Sequence, residues 1–299
     1  MDFTFTGDYG TKREWLISSS GLRNDVLKDI ITRALTGIVF VAVVVAAICL
    51  HPFSFVALFT LVVGIAIWEF YSIDKENKSW RKVIGIVAGM YLFMATFLYA
   101  GGFVSIRIMY PYIVFLLGVL VSSLYHLTSN PVKNCAMSLF GQFYIAGLLS
   151  TLNFIVFDPV TKQFFPYYAL LIFIFVWLND TGAYLSGITL GKHRLFQRIS
   201  PLKSWEGFVG GLILTICFSI GIACYFPEIL TWYHSVAMAI VTVVFATYGD
   251  LVESLLKRTG EVKDSGILLP GHGGILDRFD SVIMATPAVL LYIELFIRN

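Results

Sequence analysis

Charge is scarce in this sequence of 299 residues. Asp, Glu, Lys and Arg make up only 13% of the chain, against about 25% in soluble domains. Apolar residues make up 58%. So little charge cannot cover a globular surface in water, whereas a surface that faces lipid needs none. The composition indicates an integral membrane protein and excludes a disordered chain, a disulfide-stapled secreted module and an ordinary cytosolic enzyme.

Several motifs of soluble chemistry are also missing. The four cysteines form no C-x-x-C pair, and no H-x-x-x-H pattern occurs, so nothing predicts a zinc site. There is no G-x-S-x-G elbow and no G-x-x-x-x-G-K-[ST] phosphate loop. The net charge of +2 comes without a basic block, which gives no reason to expect a nucleic-acid partner.

Long apolar runs dominate the chain instead. A membrane-spanning helix needs about 17 to 25 mostly apolar residues. We therefore expect an all-α, polytopic integral membrane protein with about nine transmembrane helices, in which residues 34–299 form a single transmembrane catalytic domain. The nine candidates are 34–50, 53–71, 83–100, 110–126, 137–157, 167–187, 208–226, 232–250 and 281–297.

The basic residues predict the orientation of these spans. With nine spans, 18 of the 21 Lys and Arg residues fall on the side of the N-terminus, and three fall on the other. Basic loops stay in the cytoplasm, so the N-terminus and both long loops are expected there. Residues 1–33 then form an N-terminal cytoplasmic arm, in which 15–35 is either an interfacial helix or a solvated segment.

Acidic residues concentrate near the end of the chain. Six of the 19 fall between 250 and 280. Asp250 and Glu253 continue directly from an apolar run and share one helical face. A carboxylate at membrane depth costs about 2.5 to 3.5 kcal/mol on insertion scales, so it marks a functional site or an ion pair. We interpret this cluster as a site, with a structural ion-pair network as the alternative.

A second polar cluster lies between 179 and 207. Asn179 and Asp180 end the sixth apolar run, and a segment rich in hydroxyl groups precedes the seventh. Hydroxyls and lysines at a helix start suit phosphate, because free N–H groups and the helix dipole point there. Two features have plainer explanations: Gly187-x-x-x-Gly191 also fits helix packing, and Trp205 also fits an interfacial anchor.

These clusters limit the chemistry. Carboxylates with few histidines favour a hard cation such as Mg²⁺, which shares oxygen ligands with phosphates. The reaction class that remains is metal-assisted phosphoryl or nucleotidyl transfer on a lipid substrate. An ion-coupled transporter also has intramembrane carboxylates, but it predicts broken helices in two related halves, and the polar residues here fall mainly in the C-terminal part.

The motif-bearing part, about 177–281, resembles one enzyme family. Its strongest motif spans 27 positions with eleven specified residues, and it resembles the signature of the CDP-diacylglycerol synthases, or phosphatidate cytidylyltransferases. Two upstream segments, 179–184 and 200–207, are also similar to that family. The eleven residues are Ser254, Lys257, Arg258, Lys263, Asp264, His272, Gly273, Gly274, Asp277, Arg278 and Asp280.

The resemblance implies that CTP and phosphatidate give CDP-diacylglycerol and pyrophosphate with Mg²⁺, and with a second cation beside it. It implies that Asp250 and Asp277 hold the metal, and we add Glu253 to that set. Lys257, Arg258, Lys263, Asp264 and Arg278 are expected beside them in catalysis. The expected substrate-binding residues are Asn179, Asp180, Ser200, Lys203, Ser204, Glu206, Ser254, His272, Gly273, Gly274 and Asp280.

Some alternatives stay open at this point. A CTP-dependent lipid kinase, or a cytidylyltransferase for another lipid phosphate, would share the metal and nucleotide parts while differing in the lipid. The D-G-x-x-A-R pattern of the CDP-alcohol phosphotransferases is absent. The partners we expect are CTP, phosphatidate and the lipid bilayer, with a homodimer as a further expectation. The expected location is the inner, cytoplasmic membrane, with the active site facing the cytoplasm.

Overall fold

The structure is a computed structural model that describes residues 32, 34–73, 79–125, 130–262, 265–266 and 273–298. Nearly all of the expected N-terminal arm and interfacial segment lies outside these residues. The predicted site residues Lys263, Asp264 and His272 also lie outside them.

Nine helices account for most of the described chain. Eight are long and apolar enough to cross a membrane, and the first is shorter. This confirms the all-α, polytopic prediction and its approximate number of spans. The helices are α1 (Ala34–Leu50), α2 (Pro52–Ile73), α3 (Ser79–Ala100), α4 (Ile106–Tyr125), α5 (Pro131–Val156), α6 (Tyr167–Leu190), α7 (Trp205–Tyr225), α8 (Trp232–Thr259) and α9 (Leu276–Phe296).

Aromatic side chains form the centre of the bundle. The ring of Phe59 in α2 lies 6.2 Å from Phe93 in α3, 5.7 Å from Phe173 in α6 and 6.0 Å from Phe279 in α9, and all four are buried. Lipid removes the hydrophobic drive for helix association, so close packing of this kind has to supply much of the stability. Because Phe279 belongs to this core, the start of α9 is fixed at the centre of the protein.

Glycines allow four of the helices to approach closely in two pairs. A Cβ atom on Gly182 in α6 would lie 2.9 Å from the Cα of Gly211 in α7, and one on Gly249 in α8 would lie 2.5 Å from the Asp280 carbonyl in α9. Gly187 also faces Gly207 across the α6–α7 contact, which supports the packing interpretation of that glycine. The polar ends of α6, α7, α8 and α9 are thereby brought together.

Several of the predicted helix ends were wrong, and two of them bear on the polar clusters. The eighth helix continues past 250 to Thr259, and the ninth begins at Leu276 rather than at 281. Hydropathy detects only the apolar part of a helix. The α8 helix continues beyond that part through a Leu-rich turn, in which Glu253 and Lys257 form an ion pair one turn apart. Asp277 therefore lies in the first turn of α9 rather than in the loop before it.

A small β-hairpin precedes α7, which the all-α prediction did not include. Strands β1 (Arg194–Phe196) and β2 (Ser200–Ser204) pair antiparallel. The hairpin leads directly into α7 at Trp205, whereas 208 was expected. Ser204 is the N-cap residue, because its Oγ accepts a hydrogen bond from the Gly207 N–H at 3.1 Å.

Candidate active site

A cavity of about 490 Å³ lies between α6, α7, α8 and the hairpin. Both polar clusters predicted from the sequence contribute to its wall, so two segments far apart in the chain form one site. The predicted residues in the wall are Asn179, Asp180, Lys203, Ser204 and Asp250. Arg194 also lines it and was missed, because no motif distinguished it from an ordinary basic loop residue.

An ion pair joins the hairpin to α8 at this cavity. The Lys203 Nζ lies 2.5 Å from Asp250 Oδ2, and both side chains are about one third exposed or less. Ser254, one turn after Asp250, donates a hydrogen bond to Asp250 Oδ1 at 3.2 Å. Asp250 therefore has a lysine and a hydroxyl as partners, and both Asp250 and Lys203 line the cavity.

A second lysine joins α8 to α9. The Lys257 Nζ lies 2.6 Å from Glu253 Oε2 and 2.8 Å from Asp277 Oδ1. Asp277 also accepts backbone hydrogen bonds from Gly274 at 2.8 Å and from Ser265 at 3.2 Å. Gly273 takes a positive φ of 80° in the turn before α9, a conformation that favours glycine. Gly273 and Gly274 act here through their backbone, in shaping the turn that receives the Asp277 carboxylate.

A smaller cavity of about 190 Å³ adjoins the first and lies between α1, α6 and α9. Asp180 and Ser281 line both cavities. Asp277, Arg278 and Asp280 line the smaller one on its polar side. Its other side is apolar, with Phe40, Val41, Val176 and Trp177. The two cavities therefore meet at Asp180 and Ser281, and each combines charged with apolar lining residues.

Glu69 in α2 belongs to the same region and was missed from the sequence. Its carboxylate is buried and accepts backbone hydrogen bonds from Ile275 at 3.0 Å and Leu276 at 2.7 Å, at the start of α9. The signal was present, because Glu69 is the only charged residue in the apolar run 53–71. A carboxylate in such a run marks a function or a partner.

Several predicted residues lie at the margin of the cavities or outside them. Arg258 is exposed on the last turn of α8, and Ser200 begins β2 without lining either cavity. Glu206 accepts hydrogen bonds from the Lys192 and His193 N–H groups and from the His193 ring. Glu206 thus holds the start of the hairpin against α7 and does not face the cavity.

The carboxylates fit a divalent cation by charge. Among the described residues, no three acidic, histidine or cysteine side chains already converge as a ligand set. Five carboxylates nevertheless share this region with the four cations Arg194, Lys203, Lys257 and Arg278, which leaves one more formal negative charge than positive. Glu253 Oε1 is buried without a hydrogen-bond partner. Oxygen ligands and uncompensated charge of this kind are what Mg²⁺ requires. The five carboxylates are Asp180, Asp250, Glu253, Asp277 and Asp280.

Comparisons with known proteins point to one family. The profile of the cytidylyltransferase family matches residues 31–296. A phosphatidate cytidylyltransferase from Haemophilus influenzae is 32% identical over 277 residues, which cover 85% of this chain and 95% of that protein. Proteins of the same name from Staphylococcus haemolyticus and Staphylococcus aureus are 48% and 46% identical over 121 residues. Those two alignments cover 40% of this chain and 46% of each relative.

The family profile covers nearly the whole chain and includes the first half, where the sequence motifs were silent. Both cavities and their carboxylates lie inside the matched region. The chain therefore belongs to the cytidylyltransferase family, as the motifs between 177 and 281 predicted.

Proposed function

We propose that this protein transfers the cytidylyl group of CTP to phosphatidate, which gives CDP-diacylglycerol and pyrophosphate. The observation that carries the proposal is the pair of adjoining cavities, which share Asp180 and each contain a basic side chain, Lys203 and Arg194 in the larger and Arg278 in the smaller. A reaction between a water-soluble nucleotide and a membrane lipid needs such an arrangement. The printed names of the relatives, phosphatidate cytidylyltransferase, support the same pair of substrates.

The chemistry needs no general base. The phosphate monoester of phosphatidate has a second pKa near 6, so at pH 7 it is already largely a competent nucleophile. One of its oxygens forms a bond to the α-phosphorus of CTP, and the bond from that phosphorus to the bridging oxygen of the pyrophosphate breaks. The leaving pyrophosphate takes the electron pair. The protein has to hold two anions together and stabilise the charge that develops on the leaving group.

The larger cavity suits the triphosphate of CTP. Lys203 and Arg194 present positive charge to it, and the first turn of α7 directs its dipole toward it. Ser204 has its oxygen engaged as the helix cap, but its hydroxyl proton remains available to a phosphate. Asn179 Oδ1 is buried without a hydrogen-bond partner, so it can accept from a hydroxyl or amino group of the nucleotide.

The smaller cavity suits the lipid. Phe40 and Val41 of α1, with Val176 and Trp177 of α6, form an apolar wall between the helices. Arg278 lies on the polar side of the same cavity. The acyl chains of phosphatidate would remain against the apolar wall, and Arg278 would bind its phosphate. The attacking oxygen and the α-phosphorus would then meet near Asp180.

Mg²⁺ is part of the proposal. Asp250, Asp277 and Glu253 would hold it, and bound there it supplies charge neutralisation to the triphosphate and to the pyrophosphate. A second cation beside it is an expectation of the same kind. Lys203 would exchange its contact with Asp250 for a CTP phosphate. Lys257 would keep Glu253 and Asp277 in place.

The location and assembly are proposals as well. The 18-to-3 distribution of basic residues supports an orientation in which the hairpin and the α8–α9 loop face the cytoplasm, where CTP is. The relatives are bacterial, which supports the inner membrane. A homodimer stays a prediction.

A direct assay tests the reaction. Purified protein in detergent, supplied with CTP, phosphatidate and Mg²⁺, should release one pyrophosphate for each CDP-diacylglycerol formed. Omission of phosphatidate or of Mg²⁺ should abolish both products. Pyrophosphate release without the liponucleotide, or no release under any of these conditions, would contradict the proposed function.

A further inference from the structure

Glu69 reaches the start of α9 from a helix that carries none of the recognised motifs. It lies near the end of α2 and is only 2% exposed. One oxygen accepts the Ile275 N–H, and the other accepts the Leu276 N–H and the Ser265 hydroxyl at 3.3 Å. Ile275 and Leu276 stand at the beginning of α9, and Ser265 lies earlier in the segment between α8 and α9.

We propose that Glu69 is a positioning residue that sets the place of the Asp277 carboxylate for the reaction proposed above, on which this inference rests. Asp277 accepts hydrogen bonds from Gly274 and Ser265, while Glu69 accepts from Ser265, Ile275 and Leu276. The two carboxylates thus share Ser265 as a donor residue and accept from adjacent N–H groups at 274–276. A change in one therefore moves the other.

Two glycines provide independent evidence for this contact. A Cβ atom on Gly266 would lie 2.3 Å from Glu69 Oε1, and its three nearest atoms would all belong to Glu69. A Cβ atom on Gly274 would lie 2.5 Å from Glu69 Oε2. No side chain larger than hydrogen fits on either side of this carboxylate. The turn is therefore shaped around Glu69.

A carboxylate in this place satisfies free N–H groups at the start of α9. A helix of 21 residues begins here, and the free N–H groups of its first turn attract negative charge. Leaving a buried N–H without an acceptor costs about 1 to 3 kcal/mol. Glutamine at position 69 would keep one acceptor and direct an NH₂ group at a backbone N–H. The first turn of α9 would have to move, and Asp277 with it.

Another buried residue of the same helix offers a matched control. Tyr71 donates a hydrogen bond to the Ser138 carbonyl at 2.7 Å and accepts one from Gln142 at 3.1 Å. These bonds join α2 to α5, away from α9. Tyr71→Phe removes them with little change in shape. It should therefore lower stability without disturbing the start of α9.

The first experiment compares Glu69→Gln with Tyr71→Phe in the full-length protein. Loss of a partner that orients a metal ligand typically costs about 10- to 100-fold in activity or metal affinity. We expect kcat of Glu69→Gln to fall within that range, the Mg²⁺ concentration for half-maximal activity to rise, and the KM for CTP to change less than about threefold. Tyr71→Phe should keep a normal kcat and Mg²⁺ dependence even if its Tm falls.

Hydrogen exchange gives a second readout that does not depend on the reaction. Amides of Ile275 and Leu276 should exchange at least about tenfold faster in Glu69→Gln, since they lose a buried acceptor, and at the wild-type rate in Tyr71→Phe. Failure of the wild-type protein to make CDP-diacylglycerol would refute the proposed function, while the exchange rates would still decide the contact of Glu69. Unchanged exchange and a normal kcat in Glu69→Gln would overturn the inference.

A double-mutant cycle separates positioning from general damage to the fold. Gly266→Ala should reduce kcat in the wild-type background, because its methyl group displaces the Glu69 carboxylate. In a Glu69→Ala background the methyl group has room, so the same change should cost less than about twofold. Losses that simply multiply would mean that Gly266 and Glu69 act independently, and they would overturn the inference.

Discussion

The acidic residues of the cavity differ in the partners that hold them. Asp277 has Lys257 and two backbone N–H groups, whereas Asp250 has Lys203 and Ser254. The sequence left two roles open for these carboxylates, metal ligand or structural ion pair. The structure adds that each is ion-paired in any case. A measurement of activity, rather than the presence of a lysine partner, therefore distinguishes a metal ligand from a structural ion pair.

Asp250→Asn and Asp277→Asn should each reduce turnover by at least about 100-fold, because each removes a negative charge that Mg²⁺ would use at nearly constant shape. The Tm should fall more for Asp277→Asn, because the amide oxygen of asparagine can accept only some of the hydrogen bonds that the Asp277 carboxylate accepts. Pyrophosphate release and thermal unfolding, measured on the same preparations, check both statements. Glu228→Gln, at an exposed position between α7 and α8, is the control and should behave as wild type.

A purely structural ion pair predicts a different pattern. Removal of one partner would then leave a buried charge uncompensated, which costs about 3 to 5 kcal/mol, and the protein would purify poorly. Asn variants that remain well folded and keep near-normal Mg²⁺-dependent turnover would remove both residues from the metal site.

Single residues show what the sequence could and could not predict about the site. Asp250 and Asp277 were found because charge next to an apolar run is a strong signal. The same signal at Glu69 was overlooked, because no motif surrounded it. The position of Glu206 was beyond prediction, since its hydrogen bonds depend on a hairpin that occupies only 194–204. Chain entropy and turn geometry, rather than hydropathy, determine such a segment.

The helices themselves were predicted well in number and less well in extent. The length of each apolar run matches the thickness of the bilayer, so each expected span has a counterpart in the structure. Helix ends depend instead on capping and local pairs: Ser204 caps α7, Glu69 caps α9, and the Glu253–Lys257 pair extends α8. Three of the proposed site residues, Glu253, Lys257 and Asp277, lie in these extensions. The fold was therefore predictable before the geometry of the site was.

Close packing of α6 on α7 should be essential to the larger cavity. A Cβ atom on Gly211 would lie 2.7 Å from the Asn179 carbonyl oxygen and 2.5 Å from Asn179 Oδ1. Gly211→Ala should therefore separate the helices, lower the Tm and reduce kcat/KM for CTP at least about tenfold. Steady-state kinetics and thermal unfolding in detergent measure these effects.

Gly221 in the same helix is the matched control, because a Cβ atom there would meet nothing within 4 Å. Gly221→Ala should leave the kinetics unchanged and stabilise the helix by about 0.5 to 1 kcal/mol. Equal behaviour of the two alanine variants would show that the α6–α7 contact does not shape the site.

The whole molecule has an orientation that can be tested at two matched surface positions. Leu202 in the hairpin and Val160 between α5 and α6 are each 85% exposed and lie beyond opposite ends of α6. In a background without the four native cysteines, Leu202→Cys should resist an impermeant thiol reagent applied to intact cells, and Val160→Cys should react. Rapid labelling of Leu202→Cys with protection of Val160→Cys would show that the orientation is the opposite of the proposed one.

The central claim is that the two adjoining cavities unite a nucleotide and a lipid phosphate by nucleotidyl transfer. A CTP-dependent lipid kinase would use the same nucleotide but would move a different phosphate. The two reactions are separated by labelling CTP with ³²P at the α-phosphate or at the γ-phosphate, in parallel reactions of the purified protein with phosphatidate and Mg²⁺. The account predicts that the α-label enters the lipid fraction and that the γ-label leaves as pyrophosphate. Entry of the γ-label into the lipid, or of neither label, would contradict it.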